Sequence, residues 1–213
     1  MKSDKLTGIE AGRGVAALLV VGVHTRDHLF KNFGVPIPLG DLFFFGHAGV
    51  DFFFVLSGFI IMHVHAGDIG RPGRLGHYLQ RRFTRIYPFY WMVLLLTVLA
   101  LALSRRPDAL PSIPFVTSSA LLLPTGVSVV PVAWTLQNEM VFYTVFSVLI
   151  LHRNVGLLLL GVWLAIIVSR FSDLLVGGNP LFDPFNVEFF FGIGAAWLLR
   201  RRRIPAPLLV LFA

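Results

Sequence analysis

The sequence predicts an all-α protein, a polytopic transmembrane helical bundle of about six spans plus the start of a seventh, with a cytoplasmic N-terminus. Three observations predict it. Of 213 residues, 56% are hydrophobic and 14% charged, against about 25% charged in an ordinary soluble domain. The apolar residues fall in runs that cross or nearly cross the roughly 30 Å hydrocarbon core of a bilayer. Lysine and arginine fall unequally in the loops between those runs, as the positive-inside rule requires.

The first run, residues 6–29, follows Lys2 and Lys5 as a signal peptide would. Glu10 and Arg13 interrupt it and no small-x-small cleavage site follows, so it is expected to stay as a helix. The next spans are 49–65 and 75–103, the latter with Pro88 expected to kink it. Residues 133–151, 155–169 and 184–199 give the fourth, fifth and sixth. Residues 115–123 are too short to cross and are expected to be re-entrant or interfacial. "PAPLLVLFA", residues 205–213, reads as the first turns of a seventh helix. Residues 1–213 are therefore expected to form one transmembrane domain, the N-terminal part of a longer bundle.

With the N-terminus inside, the inner side collects Lys2, Lys5, Arg71, Arg74, Arg81, Arg82, Arg85, Arg153 and Arg200 through Arg203. The outer side has Arg26, Lys31, Arg105, Arg106 and Arg170. This asymmetry accounts for most of the basic charge behind the formal net +7 without nucleic acid. The absence of cysteine excludes disulfides, thiolate chemistry and the usual sulfur sites for zinc, and no metal is expected.

Ionisable groups inside a span cost about 2.5–3.5 kcal/mol each on insertion scales, so each needs a reason. The first is in "RGVAALLVVGVH", residues 13–24. Arg13 and His24 are separated by about 1100° of helix, roughly 20° past three turns, so they share one face about 16 Å apart. Ala17 and Val20 lie between them. The plain alternative is an interfacial arginine paired with Glu10 and a histidine bonded within the bundle.

"GHAGVDFFFVLSGFII", residues 46–61, places Asp51 at the outer start of the second span, as a cap or a functional carboxylate. His47 and Asp51 match H-x-x-x-D weakly, and Ser57 lacks the context of a nucleophile. In "RRFTRIYPFYW", residues 81–91, Arg82 and Arg85 share a helix side with Arg81. They suit phosphate, or else a lipid-facing anchor with Tyr87, Tyr90 and Trp91 as an aromatic belt. "WTLQNEMVFY", residues 134–143, repeats Thr135, Glu139 and Tyr143 every four residues, with Glu139 beyond the capping turn. Glu188 in "VEFFFG" is a second candidate carboxylate. Sorted by depth, the arginines lie below, and His24 and the carboxylates above. That order suits a long anionic donor threading the membrane.

Together "RGVAALLVVGVH", "GVDFFFVLSGFII", "RRFTRIYPFYW", "WTLQNEMVFY" and "NVEFFFGIG" resemble the membrane-bound acyltransferase 3 family over residues 8 to about 195. The last two motifs resemble its exopolysaccharide-modifying O-acetyltransferase branch. The resemblance implies an inner-membrane, multi-pass enzyme moving an acyl group, acetyl foremost, from cytoplasmic acyl-CoA to a hydroxyl of an extracytoplasmic polysaccharide or lipid-linked sugar. It implies His24 as catalytic, Arg13 as the partner in its arginine–x10–histidine pair, Arg82 and Arg85 at the acyl-CoA donor, where Arg13 is expected to join them, and Trp134 and Glu139 in the fourth span. Glu139 or Asp51 is expected to orient the His24 imidazole, and Trp134, Tyr143 and Glu188 to meet the acceptor. Thr135, Gln137 and Asn138 depart from the commoner W-S-L-S-x-E form, so acceptor specificity does not carry over. His24 could act as general base, since imidazole suits that task near neutral pH, or as an acyl-carrying nucleophile. Two other readings fit the same charges: a transporter or flippase for an anionic lipid-linked sugar, or an inactive fragment of the acyltransferase. Membrane lipids are expected partners and nucleic acid is not.

Overall fold

The computed structural model describes residues 7–34, 46–104, 110–170 and 179–201, with only the backbone given for 7–10 and His47. Among them are seven α-helices and no strand. These are α1 Thr7–Phe33, α2 His47–His65, α3 Leu75–Leu103, α4 Ile113–Ala120, α5 Trp134–Leu151, α6 Arg153–Ser169 and α7 Asn186–Arg201. Each long apolar run of the sequence is a helix, and α3 has the expected bounds. The expected Glu10–Arg13 pair, the loop arginines Arg105 and Arg106 and the seventh helix lie outside the described residues or side chains.

Two stretches among the described residues, Ala48–Asp68 and Pro72–Leu103, are helical, long and apolar enough to cross a membrane. The others fall short for visible reasons. α6 has 17 residues and α7 has 16, rising about 24–26 Å. α1 carries Glu10, Arg13, Arg26, Asp27 and Lys31, and α5 opens on polar residues. Pro88 removes a backbone donor inside α3, yet the helix runs on to Leu103.

The chain divides into two compact units, Met1–His63 with Glu188–Ala213, and Val64–Val187. In the first, α2 is in contact with both α1 and α7. Gly49 faces the Ala16 carbonyl so closely that an added Cβ would lie 2.7 Å from its oxygen. Toward α7 the approach is tighter still. A Cβ on Gly58 would collide with the Phe189 carbonyl, and one on Gly192 with the Val55 carbonyl. Only hydrogen fits at either point, which is the small-residue packing that lets membrane helices touch main chain to main chain. Phe54 closes edge-on against Phe189 at 4.9 Å, and Arg200 Nη2 donates to the His63 carbonyl at 3.0 Å.

In the second unit, α3 and α6 both pack on α5. The backbone breaks at His152, where φ is −143°, and α6 folds back along α5. The short apolar piece is α4, and its C-terminal carbonyls have partners from α3. Trp91 Nε1 donates to the Ala120 carbonyl at 2.9 Å, and the Tyr87 and Tyr90 hydroxyls donate to those of Leu121 and Ser119 at 3.1 and 2.8 Å. The three aromatics that the sequence offered as an interfacial belt thus hold α4 in place, because helix-end carbonyls need donors that the helix cannot supply.

Asp183 ties the approach to α7. Its Oδ1 accepts from Phe185 N at 3.0 Å and its Oδ2 from Asn138 Nδ2 at 3.2 Å, while Asn186 Nδ2 donates to the Pro180 carbonyl at 2.7 Å. Asp183→Ala is expected to lower stability by about 1–3 kcal/mol, since it strands the buried Asn138 amide. Thermal unfolding in detergent measures this, and an unchanged midpoint would mean that the contact contributes nothing.

Candidate active site

In the first unit, Ala16 and Val23 turn inward on α1 and are buried, at 4% and 3% exposure. One residue further round the helix runs the stripe that carries Arg13 and His24. Arg13 is half-buried, and Ala17 and His24 are exposed. Gly12 and Val23, the chain neighbours of Arg13 and His24, are the residues that approach Phe52 and Gly46, and Ala17 leaves space between the two ends of the stripe. α2 begins at His47 and has no acidic residue in its first turn. Asp51 therefore sits one turn inside the helix, half-buried, where it does not cap the free amides. Glu188 is half-buried in the first turn of α7, where a carboxylate also favours the positive end of the helix dipole.

In the second unit, the face of α3 that carries Tyr78, Arg82 and Ile86 is buried, with Arg82 at 9% exposure, while Arg81 and Arg85 are exposed. The two arginines of the R-x-x-R pair thus have different surroundings. The Arg82 guanidinium lies 5.6 Å from the centroid of the Tyr143 ring, a cation–π distance. The Tyr143 hydroxyl donates to Glu139 Oε1, and the Tyr78 hydroxyl donates to the Tyr143 carbonyl at 3.1 Å.

Depth sorting set Arg82 and Glu139 at opposite sides of the membrane, yet the fold joins them through Tyr143. The reason is helical arithmetic. Arg82 is about 11 Å along α3 from Leu75, and Tyr143 about 12 Å from the end of α5 at Leu151. The helices run in opposite directions, so the two side chains are level. Arg82 Nε and Nη1 are buried with no hydrogen-bond partner among the described residues.

Gln137 and Asn138, which looked like departures from a motif, are fully buried. Gln137 Oε1 accepts from Gly126 N at 3.2 Å and Nε2 donates to the Val127 carbonyl at 2.9 Å, clamping the loop before α5. Trp134 packs on Phe185 with ring centroids 5.4 Å apart. Sequence reasoning missed His65 and Asp68, whose side chains meet at 2.8 Å. The signal was there in "HAGD", a histidine at a helix C-terminus with a carboxylate three residues on. No group of three or more His, Asp or Glu placed to hold a metal ion occurs among the described residues.

Among the described residues, fold and site are those of a helical protein with two stretches of membrane length and a buried arginine with two nitrogens lacking partners. The chain belongs to the acyltransferase 3 family, whose model, described as an acyltransferase domain, matches residues 6–212. It is 32% identical over 186 residues to exopolysaccharide production protein ExoZ of Rhizobium meliloti (strain 1021), covering 80% of this chain and 56% of that one. It is 29% identical over 158 residues to protein 2 in picA locus of Rhizobium radiobacter, covering 63% and 77%. The chain thus spans little more than half the length of ExoZ. No solved structure gives a significant match.

Proposed function

We propose that this chain, as one domain over residues 1–213, serves a multi-pass inner-membrane O-acyltransferase. The enzyme moves an acyl group, acetyl foremost, from cytoplasmic acyl-CoA to a hydroxyl of an extracytoplasmic polysaccharide or lipid-linked sugar. Family membership and the name of the ExoZ relative support the acyltransfer and the polysaccharide. The observation that carries the donor half is Arg82, a buried guanidinium with two nitrogens lacking acceptors. Leaving such a charge uncompensated is costly, and phosphate oxygens match its planar fork. Arg85, exposed one turn on from Arg82, and Arg13, on the strength of the family motif, are the other proposed donor-binding residues.

In this reading His24 takes the proton of the sugar hydroxyl, and the oxygen attacks the thioester carbonyl. The new C–O bond forms, the C–S bond breaks, and CoA leaves as a thiol after receiving the proton. In the covalent variant the imidazole is acylated first and the sugar displaces it. Asp51, in the same unit as His24, or Glu139 steadies the imidazolium. Trp134, Tyr143 and Glu188 serve the acceptor.

The test is purified protein in nanodiscs with radiolabelled acetyl-CoA and polysaccharide. Label on the sugar with release of free CoA is expected; flux of lipid-linked sugar with no CoA released would establish the flippase instead. Arg82→Ala is expected to weaken CoA binding at least about tenfold, measured by equilibrium binding. Unaltered binding would remove Arg82 from the donor site.

A further inference from the structure

α2 ends on a histidine that the function above does not use. His65 is 1% exposed. Its Nδ1 lies 2.8 Å from Asp68 Oδ2, and Arg74 Nε is 3.9 Å from the other Asp68 oxygen. The second ring nitrogen, Nε2, is buried with no hydrogen-bond partner among the described residues. The ring stands edge-on to Tyr78, with centroids 5.0 Å apart and planes at 88°. One turn beyond Tyr78, on the same buried face of α3, is Arg82.

Among the described residues, three buried nitrogens therefore have no partner: Nε2 of His65, whose ring meets Tyr78, and Nε and Nη1 of Arg82, one turn along α3 from Tyr78 and over the Tyr143 ring. Buried polar groups are nearly always satisfied, and orphans that cluster point to a missing partner. Two of the three belong to a permanent cation, so a neutral acceptor leaves the charge uncompensated. The carboxylate of Glu139 is already engaged by the Tyr143 hydroxyl. A group with several acceptor oxygens and negative charge answers both Arg82 nitrogens and, with the imidazole protonated on both nitrogens, Nε2 of His65 as well; phosphate is that group.

We propose that His65 is a second ligand of the phosphate group taken by Arg82, with Asp68 fixing its ring so that Nδ1 is occupied and Nε2 meets the oxyanion. The proposal rests on the reading of Arg82 as an anion-binding residue. Arg82 offers its fork from α3, and His65 closes on the same group from the end of α2. Asp68 and the phosphate together offset the positive charge that the ring then carries beside Arg82. The phosphate comes from the CoA donor or from an anionic lipid headgroup.

The experiment uses the full-length protein in nanodiscs, wild type and His65→Gln, Arg82→Ala and the double variant. CoA and pantetheine, which lacks phosphate, are the soluble probes. His65→Gln is expected to weaken CoA binding about tenfold and to leave pantetheine binding unchanged. In the Arg82→Ala background the same substitution is expected to cost far less, because the two side chains grip one group. Asp68→Asn is expected to weaken CoA binding in the same direction.

An equal loss for CoA and pantetheine, or no loss for either while Arg82→Ala weakens CoA binding, overturns His65 as a phosphate ligand. Arg82→Ala still weakening CoA binding in that case leaves the donor reading standing. If neither variant alters CoA binding, phosphatidylglycerol against phosphatidylcholine nanodiscs decides the source. A stabilisation by phosphatidylglycerol that both variants abolish assigns the site to a lipid headgroup, and no lipid effect overturns the proposal.

Discussion

Gly58→Val is expected to leave almost no folded protein in the membrane. The methyl-bearing carbon added there collides with the Phe189 carbonyl oxygen, a main-chain atom that no rotamer change can move. Extra methylenes in a packed core typically cost about 1–3 kcal/mol when side chains can rearrange. Here a whole helix must shift, and Gly192, which meets the Val55 carbonyl in the same crossing, would lose its contact too. A net stability of about 5–15 kcal/mol leaves little margin for that. Membrane yield and a monodisperse peak after detergent extraction are the measurements. Gly161→Ala and Gly194→Ala, where an added Cβ meets nothing within 4 Å, are the controls expected to accumulate normally. Wild-type yield for Gly58→Val would show that α2 and α7 do not cross as described.

His24→Ala is expected to abolish sugar acetylation in cells while protein levels stay normal. The side chain is exposed on α1, so its removal opens no cavity in that unit and the loss is of chemistry alone. A missing general base costs about 10²–10⁴ in rate, enough to remove the acetyl signal from a polysaccharide spectrum. Ala17→Gly, at an exposed position on the same stripe, is the comparison expected to keep most of the activity. Acid quenching of wild type with labelled acetyl-CoA separates the two mechanisms, since only the covalent route leaves label on the protein. Normal acetylation by His24→Ala would sink the assignment.

The helices were legible in the sequence because apolar runs and loop composition report where a helix can start and stop, and α3 begins and ends where those signals place it. Partners across helices were not legible. Tyr87, Tyr90 and Trp91 have the composition of an interfacial belt, but their donors reach carbonyls of α4, roughly thirty residues away. Gln137 and Asn138 read as variation in a motif until their loop partners were visible. Arg82 and Glu139 were sorted by their distance from opposite helix ends, a rule that ignores the reach of a long side chain. An arginine and a glutamate on antiparallel helices can meet through one tyrosine even when their backbones are a turn or more apart. Pairs such as His65 and Asp68 are local and could have been found by searching helix C-termini for histidine with a nearby carboxylate.

α2 touches the main chain of α1 through Gly49 and that of α7 through Gly58 and Gly192. Such seams have an evolutionary consequence. A crossing made of side chains can drift, because a larger residue on one helix is matched by a smaller one on the other. A crossing made of backbone has no compensating move, since there is no side chain left to shrink. Random mutagenesis of this chain should therefore recover free apolar exchange at outward positions of α2 and α7, and no second-site rescue for changes at Gly58 or Gly192.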